Sequence, residues 1–304
     1  MISQTVLETL RQYVPAENIR FHEPMHKHTT FKIGGDAYCF IEVTEKTGLS
    51  KLVAYLDLVE IPYFVMGNGS NILVSDRGYD GVILHIADGM TNINVTGERM
   101  AVGAGVSMAK AARTAAECGL TGLEFAAGIP GTVGGGIVMN AGAYDGEMKQ
   151  VVESVSVIDR GGNELILDNE TMEFGYRTSI IKKKPFLVTG CTFRLRTGNQ
   201  EEIYARMEDF QKRRKEKQPL EFPSAGSTFK RPVGNFAGKL IMDAGLRGFS
   251  IGGARVSDKH CGFVINTGNA TASDVHDLIM QVIETVYEKF QVRLEPEVIF
   301  LGEF

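Results

Sequence analysis

Residues 128–143 read Gly128-Ile129-Pro130-Gly131-Thr132-Val133-Gly134-Gly135-Gly136-Ile137-Val138-Met139-Asn140-Ala141-Gly142-Ala143. Five glycines in the first nine positions are too many for an ordinary core element, because ordering them costs backbone entropy that no side-chain packing returns. The stretch reads as a loop whose main chain a ligand approaches closely. A second cluster, Gly67-Asn68-Gly69-Ser70-Asn71, follows the strand-like run Pro62–Met66. Glycine tolerates positive φ, so successive N–H groups can turn into one concavity suited to phosphate, with Asn and Ser adding donors. The competing reading is a hairpin turn, since Asn-Gly is a strong turn dipeptide. Two such loops suit the two phosphates of a dinucleotide. Gly103-Ala104-Gly105 resembles the start of a dinucleotide fingerprint, but Met108 stands where the third glycine belongs. No regular βα alternation surrounds it, so it reads as strand-turn-helix punctuation.

Composition agrees with a folded, ligand-holding chain. Glycine accounts for 35 of 304 residues, well above a typical ~7%. Hydrophobic residues are 43% and charged residues 23%, as in globular domains. A net charge of -5 argues against broad nucleic-acid binding, which asks for a basic surface. Cys39, Cys118, Cys191 and Cys261 lie far apart with no CxxC, so neither a zinc ribbon nor a redox pair is indicated. His22, His26 and His28 lack metalloprotease spacing, and a polar loop is preferred over a metal site. The first residues are broken by Gln, Glu and Arg, so no secretory core is expected, and no apolar run approaches membrane-spanning length. The expectation is a cytoplasmic protein with reduced thiols and no metal.

Strands are expected at Ala37–Val43, Pro62–Met66, Val82–Ile86, Ile93–Val95, Met100–Val102, Val151–Ile158, Leu165–Leu167 and Phe186–Leu195. Helices fit the first dozen residues, Gly48–Leu58 and Met108–Cys118. This is an α+β pattern. The charged helix Glu201–Lys217 reads as a boundary, stopped at Gln218-Pro219. It divides 1–200, itself two subdomains of roughly 1–80 and 81–200, from a compact α+β unit at 201–304. That unit carries a helix Ser273–Phe290 and a terminal strand Val292–Leu301.

Three polar stretches are candidates for chemistry. Tyr176-Arg177 precedes Thr178 and Ser179; Pro223-Ser224-Ala225-Gly226-Ser227-Thr228-Phe229-Lys230-Arg231-Pro232 joins hydroxyls to two cations; Leu294-Glu295-Pro296-Glu297-Val298 places two carboxylates around a proline. Each taken alone has a bland alternative: a surface arginine, a solvated loop, an exposed carboxylate.

Taken in order, these stretches resemble the UDP-N-acetylenolpyruvoylglucosamine reductase family along essentially the whole chain, from Thr29-Thr30-Phe31-Lys32-Ile33-Gly34-Gly35 onward. The resemblance implies an FAD-binding region of the vanillyl-alcohol oxidase type followed by a C-terminal substrate domain. It implies non-covalent FAD held by Gly67, Asn68, Gly69, Ser70, Asn71, Gly128, Ile129, Pro130, Gly131, Thr132, Gly134, Gly135, Asn140, Gly142 and Ala143. NADPH would be the hydride donor and UDP-N-acetylglucosamine enolpyruvate the substrate, in a monomer serving peptidoglycan synthesis and so cell-wall biogenesis, shape and division.

The same resemblance assigns roles. Hydride reaches the terminal vinyl carbon, and charge grows at the carbon bearing the carboxylate. Arg177 pairs with that carboxylate through its planar fork. Glu297 acts as a protonated acid, for which a raised pKa is expected. Ser227 supplies the proton; because a serine hydroxyl is by itself a poor acid at neutral pH, a nearby cation or water relay is expected to help it, with Lys230 or Arg231 as the candidate cation. Tyr176, Arg214 and Lys217 fall at substrate positions, the latter two toward the diphosphate. One departure is visible: only Thr178–Pro185 separate Arg177 from the strand at Phe186, leaving no room for the insertion that covers the nucleotide in the longer form. The chain resembles the short, second type. The alternatives kept open are an alcohol oxidase of the same fold and a nucleotide-sugar binder without activity.

Overall fold

The computed structural model describes residues 4–86 and 89–304. The chain forms two compact units, each assembled from three stretches. The first comprises Met1–Phe21, Cys39–Gly67 and Gly81–Lys212; the second comprises His22–Tyr38, Asn68–Asp80 and Arg213–Phe304. These units are interleaved along the sequence. The physical reason is long-range pairing. Strand Ile72–Val74 runs parallel to Ile299–Leu301, and Phe31, Ile33 and Leu73 enter the core formed by the C-terminal residues.

The first unit is built on an antiparallel five-stranded sheet. Its order is Glu164–Asp168, Val152–Ile158, Leu187–Arg194, Arg99–Gly103 and Ile93–Thr96. Helix Met108–Glu117 buries Met108, Ala111, Ala112, Ala115 and Ala116, an apolar stripe at helical spacing. Ser107 caps it by accepting from Lys110 N at 3.2 Å, satisfying one of the amides a helix start leaves unpaired. Helix Lys46–Leu58 buries Leu49, Leu52, Val53 and Leu56 on one face, each fully buried aliphatic contributing about 1.5–3 kcal/mol. Strand Tyr63–Met66 pairs in parallel with 82–85.

The second unit packs the long helix Ala272–Phe290 against a three-stranded antiparallel sheet, Ser250–Ile251, Ala254–Val256 and Val264–Asn266. Val275, Leu278, Ile279, Val282, Ile283 and Val286 form its buried face. Thr271 and Asp274 make a reciprocal capping box. Asp76 adds three bonds there, from Ala272 N (2.7 Å), Ser273 N (2.9 Å) and Ser273 Oγ (2.7 Å).

Two expectations change here. The terminal strand is Ile299–Leu301 and not Val292–Leu301, because Pro296 has no N–H to donate and the 295–297 stretch pairs with 228–230 instead. There Lys230 N donates to Glu295 O (2.9 Å) and Glu297 N to Thr228 O (2.8 Å), flanking a bridge at Phe229 and Pro296. The glycine stretch is also not simply a loop, since Val133–Met139 is a short helix. Among the described residues no helix is long and apolar enough to cross a membrane.

Candidate functional site

In the first unit the two glycine clusters meet. A Cβ on Gly67 would lie 2.4 Å from Thr132 Oγ1, so only glycine permits this approach. Thr132 caps the helix Val133–Met139, its hydroxyl accepting from Gly135 N at 3.3 Å. The main chain before and into that helix is bonded to the Gly103–Gly105 turn and its continuation. Met108 N donates to Gly131 O (3.0 Å), Val133 N to Val106 O (2.7 Å) and Gly134 N to Ala104 O (2.9 Å).

These contacts sort the glycines by purpose. A Cβ on Gly134 would sit 3.0 Å from Ala104 Cβ, and one on Gly136 would sit 2.9 Å from Met108 Sδ. Both are buried and serve packing. Gly135 is exposed, with only Thr132 Oγ1 at 3.7 Å from its would-be Cβ. Among the described residues nothing requires glycine there, although alanine would favour the helix by about 1 kcal/mol. A bare backbone kept open at this point fits a group that lies against the main chain.

Asn140 ends the same helix in the left-handed region, φ 44°, a conformation asparagine tolerates better than most residues. Its side chain is buried and engaged at both ends: Nδ2 donates to Gly175 O (3.0 Å), and Oδ1 accepts from Lys149 N (2.9 Å). Gly142–Ala143 then pairs with Gly146–Glu147. Gly175–Thr178 is a tight turn closed by mutual backbone bonds of 3.1 and 3.2 Å, with Tyr176 and Arg177 at its tip. Arg177 has φ 55°; such backbone costs about 1–3 kcal/mol and clusters at functional positions. Its Nη2 donates to Gly142 O at 3.2 Å, and its guanidinium stands 5.2 Å from the Tyr176 ring.

The second unit holds Asn68–Asn71. Gly69, at φ 59°, is pressed against the His28–Thr29 main chain, where a Cβ would approach His28 O to 2.1 Å. Thr30 N donates to Gly69 O at 3.2 Å. The hairpin reading of Gly67–Asn71 fails, because the flanking strands 63–66 and 72–74 belong to different sheets. Asn71 Nδ2 donates to Glu297 O at 3.1 Å.

Ser227 and Glu297 occur in neighbouring positions of the same unit. Thr228, fully buried, donates its N–H to Gly262 O (2.8 Å), accepts at Oγ1 from Val264 N (2.9 Å), and accepts at its carbonyl from Glu297 N. Ser227 itself is exposed. Thr30 Oγ1 donates to Ser224 O at 2.7 Å and fixes the start of the Ser227 segment. Thr228 and Thr30 were not singled out from sequence. A buried threonine beside an exposed serine was the available signal for Thr228, while the partner of Thr30 lies 194 residues away.

Lys230 and Arg231 have partners. Lys230 Nζ bonds Glu295 Oε2 at 2.8 Å; that hydrogen bond and the ammonium charge hold the Glu295 carboxyl below its usual value. Arg231 lies 4.0 Å from the Phe236 ring centroid, a cation–π contact. Arg214 and Lys217 stand in the last turn of helix Gln200–Lys217. Burial pushes the Cys39 thiol up to about 12 and raises Cys191 strongly, so neither serves as a thiolate nucleophile. Among the described residues no group of three His, Cys, Asp or Glu could hold a metal.

Comparison with known proteins places this geometry. An FAD binding domain model matches residues 37–168, and the model of the UDP-N-acetylenolpyruvoylglucosamine reductase C-terminal domain matches 218–301. The chain is 50% identical over 302 residues to the UDP-N-acetylenolpyruvoylglucosamine reductase of Caldanaerobacter subterraneus subsp. tengcongensis, covering 99% of this chain and 100% of that one. The chain belongs to the UDP-N-acetylenolpyruvoylglucosamine reductase family. The family member of Clostridioides difficile is 46% identical over 303 residues, covering each chain fully. The crystal structure of the reductase from Thermus caldophilus superposes with a TM-score of 0.80 at 35% identity, covering 93% of this chain and 98% of that chain. The chain is therefore an α+β flavin oxidoreductase with an FAD-binding domain and the C-terminal domain of this reductase family.

Proposed function

We propose that this reductase transfers hydride from NADPH to UDP-N-acetylglucosamine enolpyruvate, giving UDP-N-acetylmuramate for peptidoglycan, as a cytoplasmic monomer. Bound non-covalently, FAD supplies two-electron acceptance from the nicotinamide and donation to the enolpyruvyl carbon–carbon double bond. The residues that would hold it are Gly67, Asn68, Gly69, Ser70 and the Gly128–Ala143 stretch. The main support is the exposed, unobstructed Gly135 beside the Gly67–Thr132 approach, a cradle that any side chain would fill.

The chain's own residues manage charge and protons. Hydride arriving at the vinyl carbon leaves negative charge next to the substrate carboxylate. The Arg177 fork pairs with that carboxylate and spreads the charge. Its strained turn and its bond to Gly142 O restrict the guanidinium before substrate arrives. Ser227 Oγ delivers the proton to the carbon bearing the carboxylate, so one hydride and one proton complete the reduction. Glu297, in its protonated form, donates a hydrogen bond to the developing charge. Its placement one residue from Ser227 across the 228–297 pairing supports that role. Lys230 or Arg231 lowers the cost of deprotonating the serine, while Tyr176, Arg214 and Lys217 bind the nucleotide end.

Anaerobic rapid mixing tests the proposal. NADPH should bleach the flavin, and the enolpyruvyl nucleotide should restore its colour faster than oxygen does. A folded, colourless protein that takes up no flavin overturns it, and oxygen as the faster oxidant with an alcohol donor favours the oxidase reading.

A further inference from the structure

By resemblance Asn71 belongs to a loop of cofactor contacts, yet its side-chain amide reaches elsewhere. Asn71 Nδ2 donates to the carbonyl of Glu297 at 3.1 Å. Two residues on, Ile299 N donates to Asn71 O at 3.0 Å and opens the parallel pairing of 299–301 with 72–74. From the other side, Glu297 N donates to Thr228 O at 2.8 Å, and Thr228 is anchored by Gly262 and Val264. The peptide groups of Glu297 are thus held at both ends, by Asn71 at the carbonyl and by the residue after Ser227 at the amide. The stretch can use such a clamp: Pro296 contributes no N–H, and Glu297 precedes the regular strand.

We infer that Asn71 is a positioning residue, tying the loop Gly67–Asn71 to Glu297 so that the carboxyl group is presented beside Ser227. The inference rests on the catalytic assignment of Glu297 made above. The loop and the acid then move together. Loss of the Asn71 amide frees the Glu297 carbonyl and lets the carboxyl wander, while backbone groups of the loop stay in place. The consequence falls on the step in which the substrate is protonated and not on flavin reduction.

The test is a double-mutant cycle with Asn71→Ala and Glu297→Gln in the holoenzyme, read as separate half-reactions. Asn71→Ala keeps its flavin and is reduced by NADPH at near the parent rate, but its reoxidation by the enolpyruvyl nucleotide slows by about tenfold or more, within the range of coupling between contacting residues. In the Glu297→Gln background the same change costs less than about twofold, because the acid it positions is already gone. Its reoxidation rate also loses the pH dependence contributed by Glu297. In flavin-free protein, amide exchange at Glu297 and Ile299 speeds up on Asn71→Ala, a readout independent of turnover. Should Asn71→Ala fail to fold, Asn71→Asp retains the volume and removes the donor.

Equal slowing in both backgrounds overturns the inference, as does loss of flavin or equal damage to both half-reactions, which would make Asn71 a direct cofactor contact. A Glu297→Gln enzyme with normal reoxidation removes the catalytic assignment itself. In that case the amide exchange still reports whether the clamp exists, and the two failures are told apart.

Discussion

Asn140 donates to the carbonyl of Gly175 at 3.0 Å, so the residue that ends the glycine-rich helix also holds the turn that carries Arg177. The same side chain accepts from Lys149 N. Replacing it removes two part-buried hydrogen bonds, each contributing about 0.5–1.5 kcal/mol. Asn140→Gly separates the side-chain bonds from the backbone requirement, since glycine accepts φ 44° without strain. Urea unfolding of Asn140→Gly should show that loss, and reoxidation by substrate should slow more than reduction by NADPH. An unchanged midpoint together with unchanged reoxidation would show that the turn holds itself.

Two glycine substitutions should act in opposite directions on the apoprotein. Gly67→Ala drives a Cβ to 2.4 Å from Thr132 Oγ1, so it should disturb the helix cap and lower both thermal stability and flavin content. Gly135→Ala meets nothing closer than 3.7 Å and improves helix propensity by about 1 kcal/mol. It should raise the melting temperature of the flavin-free protein while weakening flavin binding. Differential scanning fluorimetry with and without FAD separates the two. A Gly135→Ala protein that binds flavin normally would remove Gly135 from the cradle.

Asp76 makes the stability of the second unit depend on pH. Burial alone would raise its carboxyl, but the bonds from Ala272 N, Ser273 Oγ and Ser273 N outweigh it and hold the pKa below the usual 3.8. A group depressed in the folded state adds stability above its unfolded pKa and loses it as pH falls through the folded value. Asp76→Asn should therefore be less stable than the parent near neutrality, and the gap should narrow as pH falls below about 3.9. A gap that stays constant down to pH 2 would contradict the assignment of those bonds to the ionised form.

The Lys230–Glu295 pair lies largely in solvent, where such pairs contribute about 0–1 kcal/mol. Glu295→Gln should leave stability nearly unchanged. If Lys230 assists Ser227, freeing its ammonium should not slow reoxidation, whereas Lys230→Met should. Slowing by Glu295→Gln equal to that by Lys230→Met would instead assign the pair as a unit.

Much of this was legible from residues alone because the motifs carry their own chemistry. The glycine clusters announced close backbone approach, and the helices at Met108 and Ala272 follow from apolar spacing. What the residues concealed depends on distant partners. Gly134 and Gly136 are small because Ala104 and Met108 press on them, and of these three helix glycines Gly135 is the one whose face stays open. No local pattern shows that 72–74 pairs with 299–301, so the interleaving of the units was invisible. The same holds for Asn71, whose amide faces a carbonyl 226 residues away. Lys230 carries no mark that it meets Glu295.

In the proposed cycle Ser227 is the proton donor of the substrate half. Its most direct test is anaerobic stopped-flow spectroscopy of Ser227→Ala, following flavin absorbance through both halves. Reduction by NADPH should run at close to the parent rate, and the flavin should then stay bleached when the enolpyruvyl nucleotide is added. Normal reoxidation, or equal loss of both halves, would contradict that role.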